Sequence, residues 1–148
     1  MTTTQQVTGT PLIKEVVINA PASKVWEAIT DKKKMKEWYF DMSDFKPEVG
    51  FEFTFTGCDK EDVKFVHLCQ ITEVIPNKKL SHSWRYEDYP GDSIVTWELQ
   101  EEDGKTHVKL THTGLDSISG HPSLARNSFD EGWTSLVQTA LKNYAERA

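Results

Sequence analysis

Two rhythms of hydrophobic residues, and the order in which they follow one another, constrain this chain more than any other feature of its sequence. Through the middle, bulky residues recur at every second position: Phe51, Phe53 and Phe55, then Leu80, His82, Trp84 and Tyr86, then Val95, Trp97 and Leu99, then Val108, Leu110 and His112. A period of two puts each set on one face of a strand. Near the C-terminus the period lengthens. Phe129, Trp133, Leu136, Val137, Ala140, Leu141 and Tyr144 form one stripe on a helix of roughly 28 Å, long enough to cross a sheet. An apolar sheet face and an apolar helix stripe each need a partner, and here each is the partner of the other.

The remaining elements follow from local signals. Leu12–Ile18 is β-branched and reads as a strand. Pro21 then opens a helix to about Thr30, because a missing N–H is harmless at the first helical position. Val25, Trp26 and Ile29 take its inner side. Asp31 caps a second short helix through KKKMKEW, with Met35 and Trp38 inward. A long strand runs from Val63 to Val74, entered by a turn over Gly57–Asp62. Pro76-Asn77, Pro90-Gly91 and Asp103-Gly104 turn the chain between strands. Short connections make the strands an antiparallel meander of at least four. Ser128 with Glu131 matches a capping box at the start of the long helix. Gly132, inside that helix, costs about 1 kcal/mol, so a close approach or the placing of Trp133 is expected to require it.

The 148 residues make one domain, 11–148, behind a Thr/Gln-rich tail at 1–10 that is expected to be flexible. The 7 Phe, 5 Trp and 4 Tyr provide large buried areas, so no disulfide or metal is needed for stability. Against 17 basic residues stand 23 acidic ones, a net charge of −6 that disfavours nucleic acid as a partner. No membrane span and no signal sequence are expected, and the two cysteines, Cys58 and Cys69, suit a cytoplasmic protein.

Four blocks carry a family resemblance: NAPASKVWEAITDKKKMKEWY, EVGFEFTFTG, ITEVIPNKKLSHSW and GWTSLVQTALKNYAE. Together they resemble the START-like (SRPBCC) helix-grip superfamily, in the subgroup named for homologues of the activator of the heat-shock chaperone ATPase. The likeness covers about residues 12–146. It implies an α+β fold in which a curved antiparallel sheet grips a long C-terminal helix, with two short helices after strand 1. It also implies a hydrophobic pocket, used in the superfamily by lipid carriers and polyketide cyclases. The eukaryotic namesake has an additional N-terminal domain that this sequence does not contain.

Candidate residues divide by chemistry. Trp38, Phe53, Trp84, Trp97 and Trp133 come from five elements and face inward. With His82, His112 and Val137 they form the expected lining of a cavity between sheet and helix, the imidazoles orienting the polar end of a ligand. His67, Cys69, His82 and His112 can be weighed as metal ligands, but their spacing fits no zinc pattern, and no metal or cofactor is assigned. Cys69 and His67 sit too far apart for an activated thiolate. Glu98 has outward parity; Glu73 depends on whether its strand bulges. No catalytic residue is assigned. Lys32, Lys33, Lys34 and Lys36 crowd one helix, whereas seven acids and no base lie between Tyr86 and Gly104. Such opposed patches can steer a protein partner or a second copy of the chain.

The expected function is therefore non-catalytic binding of a small apolar or amphipathic ligand in that cavity. The alternatives are an interaction module acting on a heat-shock chaperone, and a cyclase- or hydrolase-like enzyme using the same space. Oligomeric state is open.

Overall fold

A computed structural model of the chain describes residues 11–58, 61–118, 120–124 and 126–147. The tail expected at 1–10 and the tip of the turn after Cys58 lie outside the described residues. In chain order the elements are β1 (Leu12–Ile18), α1 (Ala22–Thr30), α2 (Lys32–Trp38), β2 (Glu52–Cys58), β3 (Lys64–Ile75), β4 (Lys79–Tyr86), β5 (Ser93–Glu102) and β6 (Lys105–Thr113). Two short 3-10 turns lead into one helical run, made of α3 (Arg126–Trp133), a π-helical segment (Thr134–Leu141) and α4 (Lys142–Arg147).

The strands form one six-stranded sheet in the order β1-β6-β5-β4-β3-β2, every neighbouring pair antiparallel. The meander β2 to β6 follows from its short turns. The pairing of β1 with β6, Leu12 opposite His112 and Ile18 opposite Thr106, joins segments almost a hundred residues apart and has no local signature. With the C-terminal helix against the inner face, this is the helix-grip arrangement. The register of β3 slips between Ile71 and Glu73, so Glu73 emerges at the surface and pairs with Lys79 at 3.1 Å. Glu98 is exposed, as its parity requires.

Pro21 stands at the start of α1 with no side-chain cap. Glu101 supplies the missing acceptor from β5, its carboxylate taking the Ala22 N–H at 2.7 Å. Part of the acidic run is thus committed to holding a helix N-terminus, where a negative charge is favourable. Asp31 caps α2 by accepting from the N–H groups of Lys33 and Lys34.

The C-terminal helix buries Phe129, Trp133, Val137, Leu141 and Ala145, a repeat of four residues. At 3.6 residues per turn such a repeat would drift about 40° per step and leave the sheet. The wider π-helical turns of Thr134–Leu141 cancel that drift and keep the stripe over the core. The same widening turns Leu136, Ala140 and Tyr144 to the flank, where they are half-buried. The helix begins at Arg126, so Ser128 lies within it and the expected capping box does not mark its start.

Candidate functional site

Among the described residues, the inner faces of sheet and helix meet ring against ring over the core. Trp97 crosses Trp38 at 6.2 Å and Trp133 at 5.9 Å, and Trp84 lies 5.4 Å from Trp133. Phe53 meets His82 at 5.3 Å. The eight residues expected to line a cavity are brought together, and together they fill it. What remains is a void of about 10 Å³ bounded by Trp38, Tyr39, Phe53, His82 and Trp97, among others. That is room for one water. Trp84, His112, Trp133 and Val137 do not border it.

The imidazoles of this core are engaged structurally. The Trp133 Nε1–H donates to His112 Nδ1 at 3.1 Å. An indole can only donate, so Nδ1 is the acceptor and the neutral ring carries its proton on Nε2. Nε2–H therefore donates to Ser93 Oγ at 2.8 Å, and Ser93 Oγ–H donates to the Trp84 carbonyl at 2.7 Å. The chain runs from helix to β6, β5 and β4 with every member satisfied. Neither nitrogen of His112 is left to orient a ligand, contrary to the sequence expectation. Burial, aided by His82, pushes the His112 imidazole down to about 3. His82 donates Nδ1–H to the Ser83 carbonyl at 2.9 Å, and burial holds it at about 4.

Open space does exist between sheet and helix, displaced toward the mouth of the grip. A groove of about 780 Å³ is bounded on the sheet side by Gly57, Cys58, Phe65, His67 and Tyr86. Its helix side is Asn127, Ser128, Glu131, Gly132 and Ser135, and Phe40 closes its inner end. This volume is within the range of small-molecule sites. The floor is aromatic: His67 stacks on Phe55 at 4.2 Å, and Phe40 stacks on Phe55 at 4.6 Å. His67 Nδ1–H donates to the Phe55 carbonyl at 3.2 Å, and burial lowers this imidazole to about 4, so it is neutral at pH 7. The Tyr86 hydroxyl accepts from Trp84 Nε1 at 2.9 Å, and burial raises its pKa, so the phenol keeps its proton.

Gly132 is the informative member of this wall. A Cβ added there would meet nothing within 4 Å, and its backbone is ordinary helix. No close approach requires the glycine, which corrects that part of the sequence expectation. Its effect is to leave the groove wall bare. Gly57 differs, since a Cβ there would lie 3.2 Å from the His67 ring and 3.3 Å from Phe40. The sequence signalled Gly132 by its helical cost and His67 and Tyr86 by their parity. Phe40 and Phe65 carried no distinguishing mark.

Other chemistry is weaker. Among the described residues no group of three or more His, Cys, Asp or Glu is placed to hold a metal ion. Cys69 is buried and its thiol pKa is pushed up, whereas Cys58 is exposed at the end of β2. Among the described residues no hydrogen bond joins either cysteine to a histidine. A hollow of about 870 Å³ on the outer sheet face is crossed by Lys79, Glu98, Lys109 and Glu15, neighbours in register on four strands. Those alternating charges face one another across the ladder and call for no ligand. No described helix is long and apolar enough to cross a membrane.

Comparison with known proteins agrees with this geometry. Residues 19–146 match the family described as activator of Hsp90 ATPase homolog 1-like protein. Among solved structures, protein MLL2253 from Mesorhizobium loti is 27% identical, with a TM-score of 0.75 over 94% of this chain and 98% of that one. The solution structure of BH1534 from Bacillus halodurans is 29% identical, with a TM-score of 0.71 over 93% of this chain and 97% of its own. Protein CV1439 from Chromobacterium violaceum shares the fold at 19% identity, with a TM-score of 0.78 over 92% and 96% of the two chains. No curated protein matches the chain.

Proposed function

The chain belongs to the activator of Hsp90 ATPase homolog 1-like family, and from that premise we propose that it binds a small, largely apolar ligand non-covalently in the groove between sheet and C-terminal helix. The observation that carries this reading is Gly132, a residue unfavourable in a helix and unneeded for packing, standing where it keeps an aromatic groove open. Apolar burial drives binding at about 25 cal/mol per Å², less the ordering of ligand and side chains.

Gly132→Leu separates binding from folding. Leucine favours the helix by somewhat under 1 kcal/mol relative to glycine, so the variant melts no lower than the parent. Its side chain projects into the groove. Affinity for the neutral fluorescent probe N-phenyl-1-naphthylamine is expected to fall at least tenfold. Equal affinity in both proteins, or no binding of the probe to the parent, argues against the groove as a ligand site.

A second reading, docking to a heat-shock chaperone, is favoured by the lysines of α2. Lys32 and Lys34 are held by Asp41 and Glu27 at 3.4 and 3.3 Å, whereas Lys33 and Lys36 are exposed and make no ion pair among the described residues. If this face meets an acidic chaperone surface, the double change Lys33→Glu with Lys36→Glu weakens binding tenfold or more and flattens its salt dependence. Unaltered titrations at low salt remove this face from consideration. For a cyclase or hydrolase the support is thinner, because burial holds the core imidazoles far below the pH at which a general base works best, and among the described residues none of them is hydrogen-bonded to a carboxylate.

A further inference from the structure

Among the described residues, the Tyr39 hydroxyl is the only buried side-chain polar atom without a hydrogen-bond partner. Folded proteins pair nearly all such groups, and an orphan forfeits its water for nothing in return. Tyr39 closes α2, its N–H donating to the Met35 carbonyl at 2.7 Å. Its ring lies 4.8 Å from Trp38 and 4.6 Å from Phe40, and also borders the small void in the core. Phe40, the next residue, borders the groove. The half-buried Phe40 ring thus touches both the open groove and the Tyr39 ring.

Taking the groove as the ligand site, we infer that Tyr39 anchors the ligand, and that this ligand is a neutral, flat, apolar molecule whose carbonyl oxygen accepts the Tyr39 hydrogen bond once the Phe40 ring turns aside. Burial keeps the phenol well above its usual pKa, so it is a donor throughout the physiological range. Flatness follows from the rings of Phe40, Phe65, His67 and Tyr86, which border the groove opposite its polar helix wall. Neutrality follows from charge: among the described residues no Lys or Arg borders either space, and Glu61 and Glu131 stand on the groove wall. A carboxylate carried past Phe40 would lose its water without gaining a cation, which is strongly unfavourable.

Three naphthalenes of similar size test this by calorimetric titration: 2-acetylnaphthalene, 2-ethylnaphthalene and 2-naphthoate. The parent protein is expected to bind the ketone about tenfold more tightly than the hydrocarbon, the usual scale for pairing a buried orphan, and the carboxylate at least tenfold more weakly than the ketone. Tyr39→Phe keeps the ring and removes the hydroxyl. It should erase the preference for the ketone and leave the hydrocarbon's affinity as it was. Without ligand, the same variant should melt roughly 2–4 °C higher, because an unpaired buried group has gone. Equal preference for the ketone in both proteins, tighter binding of the carboxylate, or a lower melting temperature for Tyr39→Phe overturns the anchor while leaving the groove in place. If none of the three binds and N-phenyl-1-naphthylamine also fails, the groove reading falls, and the anchor with it.

Discussion

Acidification from pH 6.5 toward pH 4 is expected to unfold this protein. Three histidines are buried as neutral rings, His67 and His82 at about 4 and His112 at about 3. Burial is the main cause in each, since a charged imidazole would have to give up water it cannot recover in an aromatic core. In the unfolded chain the same rings titrate near 6.5. Between these limits the unfolded state binds more protons than the native state, so stability rises with pH and is lost as pH falls. The contribution is complete above about pH 6.5 and shrinks until the folded values are reached. Each histidine gives about 1.4 kcal/mol per pH unit, so three together approach 4 kcal/mol per unit. Two units of that slope come to about 8 kcal/mol, which is as large as the whole stability of many domains, about 5–15 kcal/mol. Urea midpoints measured at half-unit steps from pH 7.5 to 4.5 would follow this fall. A curve that stays level from pH 7 down to pH 5 contradicts it.

His112→Ala should lower stability by about 3–5 kcal/mol. The substitution opens a hole among Trp84, Phe129 and Trp133, whose rings lie 5.3–6.0 Å from the imidazole. It also strands the Trp133 Nε1–H, which reaches no other acceptor among the described residues. At roughly 2–4 °C per kcal/mol, the melting temperature should drop by about 10 °C. Trp133→Phe removes the same hydrogen bond from the other side. Because both changes break one link, the double variant should lose at least about 1 kcal/mol less than the sum of the single losses. Additive losses would mean that the two rings merely pack. A loss below about 1 kcal/mol for His112→Ala would show that the core closes over the gap.

These two effects have a common origin that the sequence hides. Strand parity places His82 and His112 inward, and the alternation that carries them is unambiguous. Parity says which face a side chain takes, but not whether its nitrogens are free once there. The proton position on His112 follows only when Trp133, 21 residues further on and in another element, is seen to donate to it. Similarly, the helix stripe was legible as apolar spacing, yet the burial of every fourth residue depends on a π-helical segment that no local pattern announced.

The candidate site shows the same division. Gly132 stood out in the sequence because glycine is unfavourable within a helix, although the reason differs from the one expected. Tyr39 and Phe40 gave no signal, because their importance lies in what they border. The lysine crowding of α2 was evident, whereas the commitment of Lys32 and Lys34 to Asp41 and Glu27 was not.

Sequence alone determined the order of strands and helices, the antiparallel meander and the inward aromatic face. All of these depend on period and on turn chemistry, which act over a few neighbouring residues. The partner of β1, the filling of the interior and the position of the open groove were decided only in three dimensions. Whether large rings leave a hollow depends on how side chains from five elements share one volume, and close packing is a property of all of them together.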